Sequence, residues 1–205
     1  MVDISDYPNR ARRSIEASIA VKQRLFGSNE ALSTIVRATQ ILIASLQQGN
    51  KAVLFGNGGS AADAQHIAAE LVGRFALDRR ALPALALSVN ASCVTAIGND
   101  YGYDQVFSRQ IEALGRPGDV AIGISTSGNS PNVVRAVSVA KKMGLHTIAL
   151  TGCTGGELRK AADYCICVPS DETPRIQESH ILIGHIISEL VEEAVCHVQS
   201  RVSGS

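Results

Sequence analysis

AVLFGNGGS, at residues 52–60, decides the fold: four apolar residues predict a strand, and the glycines after them predict a tight turn that leads into a helix at Ser60. VAIGISTSGNSP, at residues 120–131, has the same order of apolar strand, small polar turn and helix start. Free backbone N–H groups at helix N-termini bind phosphate, and hydroxyl side chains add further donors. Two such turns in one short α/β domain predict two sides of one site for an anionic ligand.

Short apolar runs alternate with helical stretches from residue 51 onward. These runs lack polar alternation, which is typical of buried parallel strands. We predict strands at residues 52–55, 84–89, 120–124, 147–150 and 164–168, and helices from near Ser60, Val106, Ser130 and Gly155, with a long last helix over residues 175–198. Strands that alternate with helices predict an α/β fold with a doubly wound, five-stranded parallel sheet.

The first fifty residues predict a helical pair in front of this sheet. Gly-Ser-Asn at residues 27–29 separates the two helices and can cap the second. Ile15, Ile19 and Val21 mark an apolar face of the first helix. We interpret residues 1–205 as a single domain, with the helical pair in 1–50 and the α/β core and C-terminal helix in 51–205. The last helix is so apolar that it packs either in the core or against another subunit, and both options stay open.

The charge balance argues against polyanionic partners. Lys plus Arg and Asp plus Glu each number 19 in 205 residues, so no net positive field attracts nucleic acid or an anionic membrane. No apolar run has membrane-spanning length, and the charged N-terminus lacks a signal-peptide core. Five cysteines without repeated spacing favour free thiols in a reducing compartment. We therefore expect a cytoplasmic protein that binds neither nucleic acid nor a membrane.

The first turn also fits the dinucleotide fingerprint G-x-G-x-x-A, with Gly56, Gly58 and Ala61. Dinucleotide binding normally needs an acidic residue at the end of the second strand, to hold the ribose hydroxyls. The second predicted strand instead ends in Leu-Ser-Val-Asn at residues 87–90. No lysine follows either turn, as a nucleotide-hydrolysing P-loop would require. A nicotinamide-dependent oxidoreductase is therefore a minor alternative, and nucleotide hydrolysis is disfavoured.

The second turn, Ser125-Thr126-Ser127-Gly128-Asn129-Ser130, concentrates four hydroxyls in six residues. Ser130 before Pro131 is a good helix start, because serine caps helices and proline fits the first helical position. Capping does not explain the three consecutive hydroxyls before Gly128. We therefore favour a phosphate-binding loop over a plain helix cap.

Two helices carry side chains suited to metal binding or proton transfer. His66 and Glu70 are four residues apart, so they share one face of the helix behind the glycine turn. Gln177 and His185 are two turns apart in the last helix and can face one site. A histidine and a glutamate four residues apart are more often a simple surface pair. Here, however, their helix starts at the glycine turn, and this position favours a role in ligand or metal binding. We expect His180 to be a satisfied core residue.

Together these motifs resemble the sugar isomerase (SIS) domain family and, within it, the phosphoheptose isomerases. The resemblance runs through nearly the whole chain in the same order, at Gly56 to Ser60, Asp63 to His66, Glu70, Gly98 to Asp100, Ser125 to Ser130, Leu150 to Gly152, Arg175 to His180, and His185. Each motif is weak alone, but the combination is specific. The resemblance implies a SIS domain of flavodoxin-like architecture and a homotetramer with its sites between subunits.

The resemblance also implies a reaction: the conversion of sedoheptulose 7-phosphate to D-glycero-D-manno-heptose 7-phosphate through an enediol, the first step toward ADP- or GDP-activated heptose. It implies one zinc ion per subunit, at positions matched by His66, Glu70, Gln177 and His185. The substrate-binding positions of the family are matched by Asn57, Gly58, Gly59, Ser60, Asn99, Asp100, Ser125, Thr126, Ser127, Ser130 and Gln177.

Aldose–ketose isomerisation moves a proton between two neighbouring carbons, so it needs a base beside both. Our hypothesis assigns Glu70 as this base and His185 as the proton partner at the oxygens, with zinc as a Lewis acid. A tight zinc ligand cannot easily be a free base, and the sequence leaves this conflict open for Glu70.

A non-catalytic SIS module that binds a sugar phosphate or a protein partner, as in the DnaA-associating branch, is the alternative. That branch lacks equivalents of Glu70 and His185 and has arginine in place of Ser127, whereas this chain has all three residues. These residues favour an enzyme. One departure is Pro174, because some isomerases carry an acidic residue just before the Arg-Ile-Gln run.

Overall fold

The computed structural model describes residues 4–202, and the side chains of residues 4–196. Helices in this part are α1 (Tyr7–Phe26), α2 (Asn29–Gln47), α3 (Gly59–Val72), α4 (Ala91–Tyr101), α5 (Ser108–Leu114), α6 (Pro131–Lys142), α7 (Leu158–Ala161) and α8 (Thr173–Val202). Strands are β1 (Ala52–Gly56), β2 (Ala84–Ala86), β3 (Val120–Ser125), β4 (His146–Thr151) and β5 (Tyr164–Cys167). Short 3₁₀ helices occupy Ile4–Asp6 and Tyr103–Gln105.

The strands form one parallel sheet in the order β2-β1-β3-β4-β5. This is the strand order of flavodoxin-like, doubly wound sheets. Every residue of β1 and β3 is buried, as their unbroken apolar sequences predict. The predicted five-stranded parallel sheet and the helical pair before it are confirmed.

Alternate residues of each strand pack into two different hydrophobic clusters. Ala52 and Leu54 pack with residues of α1, α2, α3 and α8, whereas Val53 and Phe55 pack with residues of α5, α6 and α7. The alternation follows from the two-residue period of a strand. The helical pair shares a hydrophobic cluster with the sheet, so we interpret the chain as one domain. Residues 1–3 and 203–205 of that domain lie outside the described part. α3 and α8 lie in the same layer.

The strand predicted at residues 84–89 is wrong at its C-terminal end. β2 ends at Ala86, and Asn90 then caps α4, its side chain accepting the N–H of Cys93 at 3.1 Å. α4 was not predicted from the sequence, since its serine, threonine and valine residues have low helix propensity. Every residue of α4 is at least partly exposed in the single chain.

Other helix boundaries differ for local reasons. Gly155 and Gly156 have φ values of +75° and +54°, so the helix predicted near Gly155 begins only at Leu158. The helix predicted near Val106 begins at Ser108, and the last helix is longer than predicted at both ends. Ser28 caps α2 as predicted, with its side chain accepting the N–H of Ala31 at 3.2 Å.

The apolar faces of α1 and α8 differ in how far they are buried. Ile15 and Ile19 of α1 are 62% and 51% exposed, although Val21 is buried. The apolar side of α8 is mostly core, with Ile183, Ile187, Val191 and Val195 buried. Of the two options for the last helix, the core therefore accounts for most of its apolar surface, and α1 keeps an uncovered apolar face.

No helix within residues 4–202 has both the length and the hydropathy needed to cross a membrane. All five cysteines are free thiols, as predicted. Cys165 and Cys167 share one face of β5, with their Sγ atoms 3.7 Å apart. A hydrogen bond from Cys165 lowers the pKa of Cys167 to about 6.

Candidate active site

Two loops meet at the carboxyl edge of the sheet. β1 and β3 pair in parallel, so Gly56 lies opposite Ile124. β1 has β2 on one side and β3 on the other, and ligands of α/β proteins bind at such a reversal of strand order. The amides of Asn57 and Asn132 link the two loops through reciprocal hydrogen bonds, each 2.9 Å long. The two turns that the sequence singles out are therefore adjacent.

Glycine is required at two positions of the first turn. A Cβ atom on Gly56 would lie only 2.8 Å from the carbonyl oxygen of Ile124, so a side chain there would push the loops apart. Gly58 has a φ of +55°, in the left-handed region that favours glycine. Gly58 and Gly59 are exposed on the turn, whereas Ser60 is only 6% exposed and lies behind it.

The hydroxyl loop, residues 125–130, gathers serine side chains at the start of α6. Ser125 Oγ lies 2.9 Å from Ser130 Oγ and 3.4 Å from Ser127 Oγ. Ser130 occupies the N-cap position, but its side chain makes no capping hydrogen bond to any described residue. Its hydroxyl is directed to Ser125 instead. Three hydroxyls beside the N-terminus of α6, a helix of 12 residues, are suited to binding an anion. This arrangement favours an anion-binding loop over a simple helix cap.

Backbone contacts hold the hydroxyl loop against the loop that follows β4. Gly128 has a φ of +69°, and a Cβ atom on it would clash with the carbonyl group of Gly155. The carbonyl of Thr126 accepts the N–H of Gly152, and the carbonyl of Gly128 accepts that of Leu158, each at 3.0 Å. The loop is therefore held in shape largely by backbone packing, with Ser127 exposed and Ser125 only 3% exposed.

His66, Glu70 and His185 form a cluster between α3 and α8, referred to below as the histidine cluster. His66 Nε2 lies 2.9 Å from His185 Nε2 and 3.1 Å from Glu70 Oε1. One possible ligand atom from each residue lies within 4.8 Å of the others. The helices approach closely here, because a Cβ atom on Gly184 would lie 2.5 Å from Ile67 Cδ1. Two imidazoles and a carboxylate at these distances can bind a divalent metal ion.

Gln177 is oriented by Asp63, which lies one helical turn before His66 in α3. Its Nε2 donates to Asp63 Oδ1 at 2.5 Å, which leaves Oε1 as the amide atom available to a metal or a sugar hydroxyl. Burial raises the pKa of Asp63, although the Gln177 hydrogen bond and nearby His66 oppose the rise. The other carboxylate oxygen of Asp63 is buried without a partner among the described residues. Asp63 was assigned no role from the sequence, although it opens the Asp63 to His66 motif of the family resemblance and lies one helical turn before His66.

Asn99 and Asp100 lie on the exposed last turn of α4, and they bond each other rather than the loops. Asn99 Nδ2 donates to Asp100 Oδ1 at 2.8 Å. Asp100 lines a largely apolar groove of about 530 Å³, together with Leu85, Val89 and Ile97. Asn99 and Asp100 were predicted to bind substrate. Within the described part of one chain, their side-chain hydrogen bond is to each other and not to the glycine turn or the hydroxyl loop.

His180 is a core residue, as expected, but it is only half satisfied. Its side chain is fully buried, and Nε2 donates to the carbonyl of Thr151 at 3.1 Å. Nδ1 has no partner among the described residues. Burial lowers the pKa of His180 to about 4, against a smaller opposing effect of the Thr151 hydrogen bond. The residue therefore links α8 to the end of β4 as a neutral imidazole.

Comparison with known proteins shows what this chain is similar to. The SIS domain family model matches residues 17–152. The phosphoheptose isomerase of Sulfurimonas denitrificans is 54% identical over 184 residues, which cover 90% of this chain and 94% of that protein. That of Aquifex aeolicus is 60% identical over 162 residues, covering 79% and 85%. The solved structure of the phosphoheptose isomerase from Neisseria gonorrhoeae superposes with a TM-score of 0.86 and 43% identity, covering 91% of this chain and 99% of that one.

Proposed function

This chain belongs to the SIS domain family and, within it, to the phosphoheptose isomerases, and we propose that it converts sedoheptulose 7-phosphate into D-glycero-D-manno-heptose 7-phosphate. The reaction is an aldose–ketose isomerisation, and its product leads toward ADP- or GDP-activated heptose. A phosphorylated sugar has an anionic end to be held and a carbon–oxygen end to be changed. The site has a separate region for each.

One observation carries the proposal: α3, which carries His66 and Glu70, begins at the glycine turn, and that turn is hydrogen-bonded through Asn57 to Asn132 at the start of α6. His66 and His185 meet at 2.9 Å although they come from different helices. Gln177 of α8 bonds Asp63, which lies one turn before His66 in α3, and its Cγ would lie 3.5 Å from a Cβ atom on Gly59 of the glycine turn. Acid–base groups at one end and hydroxyl donors at the other fit an isomerase that works on a sugar phosphate.

Glu70 acts as the base in this proposal. It takes the proton from C1 of the ketose, the C1–H electrons form the C1=C2 bond of the enediol, and O2 gains a proton. The O1 proton then leaves, C1 becomes a carbonyl, and Glu70 returns its proton to C2. His185 holds and moves the proton between the two oxygens. Glu70 is suited to this role because its side chain is 20% exposed and has His66 beside it at 3.1 Å.

We also propose one zinc ion per subunit, held by His66, Glu70, Gln177 and His185. Donor atoms about 2.0–2.1 Å from a tetrahedral zinc lie about 3.3 Å from one another. The separations of 2.9 and 3.1 Å within the histidine cluster are close to this value, so His66, Glu70 and His185 fit the ion. When bound, zinc polarises the substrate oxygens as a Lewis acid. A carboxylate held tightly by zinc is a poor base, so the metal dependence of turnover separates the two roles of Glu70.

The hydroxyl loop holds the phosphate through Ser125, Thr126, Ser127 and Ser130, together with backbone N–H groups at the start of α6. Neither arginine nor lysine is present in this loop, so moderate affinity is expected. The sugar itself is assigned to Asn57, Gly58, Gly59, Ser60, Asn99, Asp100 and Gln177.

A homotetramer with sites between subunits completes the proposal. The exposed apolar face of α1 and the groove beside α4 are surfaces of the kind that a second subunit covers. Asn99 and Asp100 lie on α4, so an interface there would explain how they reach a site that one chain leaves without them. Five free thiols agree with a cytoplasmic location.

Proton NMR of sedoheptulose 7-phosphate in D₂O with purified protein tests this function. We expect the anomeric signal of an aldoheptose to appear, to be lost after chelation, and to return with added zinc. A control without protein excludes spontaneous isomerisation. If folded protein binds the sugar but yields neither the new signal nor deuterium exchange at C1, the enzyme assignment fails in favour of the non-catalytic SIS module.

A further inference from the structure

A buried ion pair lies behind the histidine cluster. Arg79 Nε lies 3.1 Å from Glu192 Oε1, and the two side chains are 0% and 2% exposed. Arg79 belongs to the segment between α3 and β2, and Glu192 follows His185 in α8 by seven residues. Residues seven apart lie two turns away on the same face of a helix. The pair therefore joins α8 to the chain that leaves α3, and these two helices carry the cluster.

Glu192 organises the segment that follows α3. Its carboxylate accepts the backbone N–H groups of Phe75, Ala76 and Leu77 at 2.9, 2.6 and 2.7 Å. Burial alone would raise the pKa of Glu192, but these three donors and the Arg79 guanidinium lower it below its ordinary value. Because a buried carboxylate with four donors has one favourable position, the segment is held in one place relative to α8.

Arg79 holds the carboxyl end of α3. Its Nη2 donates to the carbonyl of Glu70 at 2.8 Å, and its Nη1 donates to the carbonyls of Leu71 and Gly73 at 2.9 and 3.3 Å. The last carbonyl groups of a helix have no partner within the helix, so a guanidinium satisfies them well. Since the backbone of Glu70 is one of its partners, Arg79 controls where this residue lies.

Phe75 lies in the segment that Glu192 holds, and its ring packs against the ring of His185. The two rings lie 5.8 Å apart between centroids and are inclined by 48°. Glu192 therefore fixes the residue that packs against the His185 ring, and Arg79 fixes the backbone of Glu70. Both effects bear on the distances inside the histidine cluster.

We propose that Arg79 and Glu192 form a clamp that positions the histidine cluster for metal binding and proton transfer. The clamp lies behind the cluster and acts through the Glu70 carbonyl and the Phe75 ring, so both members are positioning residues. This inference rests on the proposed function, because it gives the clamp a role at the site described there. Loss of groups that orient metal ligands from behind typically costs about 10- to 100-fold in metal affinity.

The ion pair of Lys51 and Asp119 provides a matched control. It is also well buried, with side chains 21% and 2% exposed. Asp119 likewise accepts backbone N–H groups, those of Lys51 and Arg116, at 3.0 and 2.8 Å. This pair lies just before β1 and β3, at the amino edge of the sheet, opposite the site. Weakening it should destabilise the fold without changing the histidine cluster.

Zinc affinity of the metal-free protein, measured by competition with a chromophoric chelator, tests the clamp. We expect Glu192→Gln and Arg79→Lys to weaken zinc binding about tenfold or more and to lower kcat. We expect Asp119→Asn to lower the unfolding temperature but to leave zinc affinity within about twofold of the unsubstituted protein. The inference is overturned if the clamp variants bind zinc as tightly as the unsubstituted protein and are merely less stable, like Asp119→Asn.

A second readout separates this inference from the proposed zinc site. If the unsubstituted protein does not bind zinc, the metal assignment fails, and the ring-nitrogen NMR signals of His185 then test the clamp. They should shift in Glu192→Gln and stay unchanged in Asp119→Asn; an unchanged signal in both sinks the clamp. Should Glu192→Gln fail to fold, Phe75→Leu takes its place, because it removes only the ring that packs on His185.

Discussion

The hydroxyl loop and the histidine cluster, which we propose form one site, are built in opposite ways. Ser125 and Ser130 meet at 2.9 Å within a single loop of the chain. His66 and His185 meet at the same distance although 119 positions separate them. The loop is therefore determined by local backbone geometry, whereas the cluster depends on how α3 packs against α8. We propose that the loop supplies affinity and the cluster supplies chemistry, and the first three predictions below test that division.

The largest effect is expected from Glu70→Gln, which removes the proposed base while keeping its size. Loss of general-base catalysis costs about 10²- to 10⁴-fold in kcat. Steady-state assays should show this loss, and size-exclusion chromatography should show an unchanged oligomer. Glu189→Gln is the matched control, because Glu189 is an exposed glutamate of α8. Near-normal turnover in Glu70→Gln would remove the base assignment.

The next largest effect is expected on zinc content, which should fall when the histidine cluster is changed but not when the hydroxyl loop is changed. His185→Ala removes one proposed ligand, so the protein should retain much less than one zinc per chain after dialysis, as measured by atomic emission. Ser125→Ala should retain zinc fully, because its partners are the hydroxyls of the loop. Equal zinc loss in both variants would mean that the two regions are not independent.

A smaller effect is expected from the double change Ser125→Ala and Thr126→Ala. Hydrogen bonds to a charged group are each worth about 1.5–3 kcal/mol, so the loss of two should raise KM by about a hundredfold or more. Because the phosphate stays bound throughout the reaction, kcat should change little. Ser138→Ala, which removes only a hydroxyl that bonds the carbonyl of Val134, is the control. A pure loss of kcat would place these hydroxyls at the reacting end.

The smallest effect on turnover is expected at His180, which ties α8 to the end of β4 beside the hydroxyl loop. The folded protein holds its pKa at about 4, below its ordinary value of 6.5. The unfolded chain therefore binds the proton first, so stability is complete above about pH 6.5 and is lost as pH falls toward 4, by about 3 kcal/mol in total. Urea unfolding at several pH values should show a weaker dependence in His180→Asn. An identical pH dependence in both proteins would contradict this assignment.

The hydroxyl loop could be predicted almost completely from the sequence. Its strand, its glycine and its Ser-Pro helix start are local signals, and the structure has each of them where the pattern indicates. What the pattern did not predict is that the Ser130 side chain bonds Ser125 instead of capping α6. That choice depends on the shape of the folded loop.

The surroundings of the histidine cluster could be predicted only in part. The four-residue spacing of His66 and Glu70 indicates one helix face, but nothing local indicates that Asp63 would orient Gln177. Glu192 looks like one more glutamate of a long helix, and its burial against Arg79 is invisible in the pattern. α4 was not predicted because the helix propensity of its residues is low and because none of them is buried within one chain.

The sequence by itself determined the elements whose signals are short in range: the apolar strands, the two glycine-containing turns and the Ser28 cap, since each depends on the conformational preferences of a few neighbouring residues. Only the tertiary structure decided which distant side chains meet. The contacts of His66 with His185, of Gln177 with Asp63, and of Glu192 with Arg79 all arise where α3 or the segment after it packs on α8. Such contacts depend on the register and closeness of two packed helices, which no local pattern of residues contains.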